Sequence, residues 1–197
     1  MLPIFIAICA EHGLDPQRSF APDVFCWIIT KIHEIAELNR RNAVLERLPD
    51  IAITIVSNHL PASLAGRKNL RYLGHIDDFA EVRRLMGSAK LVLNTTSKFP
   101  SGSHERIWFG MAEGAAILTD RSSYLDGQFE HLADLLFLPQ GPVAVGDLAY
   151  LAYLLRDGPR LDAITDRAAA LYRDNHTWKQ RVALIDEAVN EAMPIPG

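Results

Sequence analysis

Cysteine is scarce in this chain of 197 residues. Two are present, Cys9 and Cys26. They are too few for a disulfide framework and fit no zinc spacing, so a reducing cytoplasm is the expected setting. A basic excess is missing too. Lys and Arg total 20 against 24 Asp and Glu, a formal charge of -4. That argues against a nucleic-acid partner, which requires a basic surface. No run reaches the ~20 apolar residues of a membrane-spanning helix. Met1 to Ala10 is apolar enough for a signal-peptide core, but it has no basic leader, and Glu11 stands where a small cleavage-site residue is wanted. Seven histidines are scattered, with no i, i+4 pair and no H-E-x-x-H, so no metal is expected. The P-loop lysine motif, the dinucleotide glycine fingerprint and the G-x-S-x-G elbow are also lacking. No catalytic residue is named by motif.

What is present is the ordinary mix of a globular protein, with 49% hydrophobic and 22% charged residues and enough length for one sizeable core. Residues 2–12 fit a short buried helix or a strand. From Pro22 a long helix is expected, with Phe25, Ile28, Ile29, Ile32, Ile35 and Ala36 inward and Lys31, Glu34, Glu37, Arg40 and Arg41 outward. Pro49 closes it. Strands are expected at 51–56, 70–73, 91–93, 115–119 and 135–138. Helices are expected at 77–86, with Phe79, Val82, Leu85 and Met86 inward, at about 104–113, and at about 145–156, 159–174 and 177–192.

Alternating strands and helices with short connections predict an α/β, Rossmann-like three-layer domain. Its mainly parallel sheet has about five strands. The whole of 1–197 reads as one domain, with a helical lead (1–48), an alternating core (49–139) and a helical tail (140–197). Ligands of such sheets bind beyond the carboxyl ends of the strands. That surface comprises Ser57-Asn58, Gly74-His75, Asn94 to Arg106, and Thr119 to Ser123.

The most informative stretch is Asn94 to Arg106, where a strand ends, a Gly/Ser loop follows and a helix starts. A helix start offers unpaired N–H groups and partial positive charge, which suit a phosphate. Gly102 allows close backbone approach, Ser101 and Ser103 offer hydroxyls, and Lys98, His104 and Arg106 supply positive charge. A plainer account fits the same residues: serine before a helix, with Glu105 in its first turn, is ordinary N-terminal capping. Asp120 ends the fourth expected strand, as a phospho-acceptor aspartate would, but Ser57-Asn58 stands where the accompanying acidic pair is needed.

Residues 104–120, HERIWFGMAEGAAILTD, resemble the R-V-F-E-A-M-A-C-G-A-L-L-L-T-D stretch of the CgeB-like (spore-maturation type) glycosyltransferases. Leu70 to Asn94 resembles the strand–Gly–helix–strand unit before it. His176-Thr-Trp-Lys-Gln-Arg181 resembles the H-T-[YW]-x-x-R opening of that family's last helix. The resemblance implies the nucleotide-binding lobe of a two-lobed, GT-B type enzyme that holds a nucleoside-diphosphate sugar of UDP or GDP type without a metal or further cofactor. It implies the diphosphate at the helix start near His104, an acidic residue on the ribose, and backbone around Gly74-His75 near the base. One departure stands out. Phe109 occupies the position of the family's glutamate and cannot accept a hydrogen bond from ribose, while Glu105 and Glu113 lie one turn to either side.

The expected site is therefore Lys98, Gly102, Ser103, His104 and Arg106 for the diphosphate, Glu105 for the ribose, and Asn58, Gly74 and His75 beside the base. The expected activity is glycosyl transfer to an unidentified acceptor, with a second lobe or partner subunit completing the cleft. Trp27 and Phe25 are candidates for a bare interface. The alternative is a non-catalytic, nucleotide-binding or protein-interaction scaffold of the same fold.

Overall fold

The computed structural model describes residues 2–95 and 99–192, apart from the side chain of residue 17. The chain divides into two compact units, Met1–Glu46 and Arg47–Gly197. The first is helical, with α1 (Leu2–Glu11), α2 (Pro16–Ser19) and most of α3 (Pro22–Arg47). Phe5 of α1 meets Phe20 and Phe25, with ring centroids 6.2 and 5.9 Å apart. The helical reading of residues 2–12 thus holds over the strand reading, but the helix is not buried: Leu2, Ile4, Ile6 and Ile8 are exposed, and Cys9 alone is buried among its described residues. Along α3 the expected faces are not kept throughout: Ile35 is exposed and Glu37 is buried. Trp27 is exposed, whereas Phe25 is half-buried against Phe5.

The second unit is the α/β part. Its strands are β1 (Ile53–Ile55), β2 (Leu70–Tyr72), β3 (Leu91–Asn94), β4 (Ala116–Thr119) and β5 (Leu136–Phe137). All three strand pairings are parallel. The five strands form two sheets, β1-β2 and β3-β4-β5, in place of the one expected. Four of the strands are shorter than expected, β1 most of all, since Ile51 and Val56 lie outside its paired ladder, whereas β3 runs one residue further, to Asn94.

The core is built around β4, whose four residues are all buried. Ile117 and Leu118 have no exposed surface, and Ile107, Met111, Leu135 and Leu136 are equally inaccessible. Burying a side chain of this size contributes roughly 1.5–3 kcal/mol relative to leaving it in water. The helix α5 (Glu105–Ala112) sits close on this sheet because Gly110 has no side chain; a Cβ there would collide with the Ile117 Cδ1 methyl. Gly114 stops the chain after α5 in the left-handed region, at φ +81°, which a residue with a Cβ adopts only at a cost.

The remaining helices follow from their caps. Asp78 accepts from Ala80 N at the head of α4 (Phe79–Ser88). Ser122 accepts from Leu125 N at the head of α6 (Ser123–Gln128), a helix the sequence reading omits. Six residues are too few to show a helical period. α4 buries no residue fully; Phe79 is exposed at its first turn, while Val82, Leu85 and Met86 are half-buried. The expected helix at 145–156 is only α7 (Tyr150–Leu154), and α8 (Gly158–Asn175) and α9 (Trp178–Ala192) complete the tail. Among the described residues no helix is long and apolar enough to cross a membrane.

Candidate functional site

The tips of β3 and β4 carry a polar network. Asn94, almost completely buried, donates from its amide to Thr119 Oγ1 at 3.0 Å. Its Oδ1 accepts from the Arg106 guanidinium at 3.0 Å. A buried amide needs both halves satisfied, and here its acceptor is met by a cation reaching back from the second residue of α5. Arg106 is thereby held at the strand tips, not left to sweep through solvent.

The head of α5 is capped, but not by serine. His104 is the cap residue, and its Nδ1 accepts from Arg106 N at 3.1 Å. Acceptance at Nδ1 puts the ring proton on Nε2. Ile107 N bonds to His104 O, and Glu105 N has no partner among the described residues. Glu105 itself is exposed. Ser103, the expected cap, is used otherwise: its Oγ accepts from the Trp108 indole N–H at 3.0 Å. Gly102 is in no left-handed conformation, and its carbonyl accepts from Ser122 Oγ at 2.6 Å.

These groups surround a hollow of about 180 Å³, counted out to its open mouth. Asn94, Gly102, Ser103 and His104 line one side, Asp120, Arg121 and Ser122 the other, and Ile107 and Leu125 form the floor. Arg121 is tied to Asp126 at 2.6 Å and lies 4.5 Å over the Phe137 ring. Most of that space is open to solvent, and the enclosed part, about 10 Å³, has room for one water-sized group, so the hollow suits one polar group of a ligand and not a whole nucleotide sugar. Among the described residues no cluster of His, Cys, Asp or Glu could hold a metal ion.

The structure brings Gly102, Ser103 and His104 together around this hollow, with Arg106 beside it. Asn58, Gly74 and His75 do not line it. Asn58 is exposed; Gly74, at φ +74°, accepts from Ser57 N at the end of β1; and His75 Nε2 lies 2.9 Å from Asp77 Oδ1. Lys98 lies outside the described residues. Phe109 packs edge-on against Phe79, with centroids 4.9 Å apart. Glu113 sits at the far end of α5, where it binds Arg83, so it faces away from the helix head.

One cluster escaped the sequence reading. Behind the loop, Trp108 lies 4.7 Å from the His176 ring and 5.0 Å from the Arg181 guanidinium. Arg181 in turn donates to Tyr124 OH at 2.9 Å. No local signal ties Trp108 to residues some seventy positions onward. The burial of His176 and the nearby Arg181 charge hold its imidazole below the ordinary value. The unfolded chain therefore takes up a proton more readily than the folded one, and this contribution to stability is lost as pH falls below about 6.5. Melting temperature is expected to drop between pH 7.5 and 5.5, with a shallower slope in His176→Gln. An unchanged slope in that variant refutes the assignment. His131, pushed down by burial and by Arg121, acts in the same direction, so some slope should remain.

A family model described as "Glycosyl transferase-like" matches residues 40–187. The chain belongs to the glycosyl transferase-like family. The match spans the whole α/β core and most of the helical tail. No curated protein matches the chain. Among solved structures, Anabaena HepE in complex with UDP is similar at a TM-score of 0.60 with 16% identity, covering 76% of this chain and 43% of that one. HepE in complex with UDP-glucose gives the same values. At that identity the likeness is one of fold. The chain spans 43% of the length of HepE.

Proposed function

We propose that this chain is the nucleotide-sugar-binding lobe of a two-lobed, GT-B type glycosyltransferase of the CgeB-like kind, working in the cytoplasm on an acceptor held by a second lobe or subunit. In this reading 1–197 acts as one functional domain. The observation that carries it is Arg106, held by Asn94 beside an open hollow at the head of α5. A held cation and the head of a helix, whose first amides and dipole suit an anion, stand together beside it, the combination that a pyrophosphate requires. The lobe would orient the donor and stabilise the charge that builds on the departing diphosphate. Lys98 lies four residues before Gly102 and is assigned to the same phosphates. Glu105, exposed one turn before Phe109, is assigned to the ribose, and Asn58, Gly74 and His75 to the base.

UDP is the first nucleotide to test, since HepE is seen with UDP and UDP-glucose. A thermal-shift panel with UDP, GDP, dTDP and their sugars measures this, because a ligand of the folded state alone raises the melting point by mass action. Stabilisation by one of these nucleotides supports the donor-site reading. The absence of any shift favours a second reading, a non-catalytic scaffold, which the apolar Phe79–Phe109 pair near the expected ribose position supports.

A further inference from the structure

We infer that the elbow joining α8 to α9 is a brace that positions Ser103: His176 and Arg181 fix the Trp108 indole, and the indole N–H fixes the serine hydroxyl. The inference rests on the donor-site reading of the loop before α5, and it assigns a task to three residues that touch no part of the hollow.

The polarity of the Ser103 hydroxyl is set by this bond. Its oxygen accepts from Trp108 Nε1 at 3.0 Å, and its own O–H has no acceptor among the described residues. A hydroxyl whose oxygen is engaged by a donor from behind points its proton away from that donor, toward the hollow that Ser103 lines. Phosphate oxygens are pure acceptors, so a hydroxyl presented as a donor is the form that recognises them.

The indole is held from several directions. The His176 ring lies 4.7 Å from it, tilted by 30°, and Phe129 and Tyr124 lie 5.9 and 6.3 Å away. Arg181 sits 5.0 Å from the Trp108 ring and 5.5 Å from the Tyr124 ring, anchored by its bond to Tyr124 OH. Such cation–π placement favours one ring position over others. The elbow itself is closed by Gln180, whose amide donates to Arg173 O and Asp174 O, among the last carbonyls of α8. Gly102 is held separately by Ser122, so neighbouring residues of the loop are tied to different elements. Packing alone would be served by phenylalanine at 108. An N–H directed at one hydroxyl is the feature that packing does not explain.

The test is Trp108→Phe, which keeps an aromatic ring for His176 and Arg181 but removes the N–H. Isothermal titration with UDP is expected to show affinity weakened about three- to tenfold, the range of one lost hydrogen bond. The melting temperature should fall by no more than about 4 °C. In a Ser103→Ala background the same Trp108→Phe change should leave UDP affinity unaltered, because the group it orients is gone. Unchanged UDP affinity in Trp108→Phe, or an equal loss in both backgrounds, overturns the brace while leaving the donor-site reading standing. A wild-type chain that binds neither UDP nor GDP overturns the donor-site reading, and the brace falls with it as a ligand-positioning device.

Discussion

Arg106→Ala is expected to weaken UDP binding by about 10- to 100-fold, the cost of losing a charged hydrogen-bond partner of a phosphate. Two effects are combined in that variant. The diphosphate loses a cation, and buried Asn94 loses the donor to its Oδ1. The second effect costs fold stability by about 1–3 kcal/mol, because an unsatisfied buried acceptor keeps its desolvation penalty. Arg106→Gln separates the two. Glutamine can still donate an N–H toward Asn94 but carries no charge, so it should recover stability and not UDP affinity. Titration calorimetry and thermal melts on both variants check this. Wild-type affinity in Arg106→Gln would mean that the charge of Arg106 plays no part in binding.

Ile107→Ala is expected to destabilise the chain by about 2–5 kcal/mol, the range for truncating a large aliphatic side chain in a packed interior. Ile107 is completely buried and packs in the same cluster as Met111, Ile117 and Leu135, yet it also forms part of the floor of the hollow. The side chain therefore links the core to the site directly. A loss of that size lowers the melting temperature by roughly 2–4 °C per kcal/mol for a chain of this length. The truncation also deepens the hollow beneath Ser103 and His104. UDP affinity, measured well below the lowered melting point, should fall as well, since the floor that supports the loop has moved away. A melting point within 2 °C of wild type, by the same scale, would contradict the packing described for α5.

Much of the α/β part was legible because its signals are local and strong. The β-branched run Ile51 to Val56 reads as a buried strand, and Gly114 after an amphipathic helix marks a stop; the strand stands in the structure as β1, though none of its residues is fully buried, and the stop stands at the end of α5. What was illegible depends on contacts distant in sequence. Phe79 looks like a core residue by its spacing, but it sits at the first turn of α4 and pairs with Phe109 at the surface. Serine is the preferred cap by statistics, yet Ser103 is drawn to Trp108 and His104 takes the cap. The division into two sheets leaves no trace in single-strand patterns, because register and pairing partners are set between strands.

The site shows the same division. The strand-tip location followed from topology, and the hollow lies there, between the loop at 102–104 and the loop at 120–122. The resemblance pointed to His176 and Arg181 without giving a reason. The structure supplies a physical one, since both converge on Trp108 from the turn between α8 and α9.

The account depends most on the head of α5 receiving a diphosphate, and an NMR titration of the ¹⁵N-labelled chain with UDP measures that directly. The Ser103 and Glu105 amides, together with the Trp108 indole N–H, should show the largest and saturable shifts. Saturable shifts confined to residues away from 102–106, or none at millimolar UDP, would contradict it.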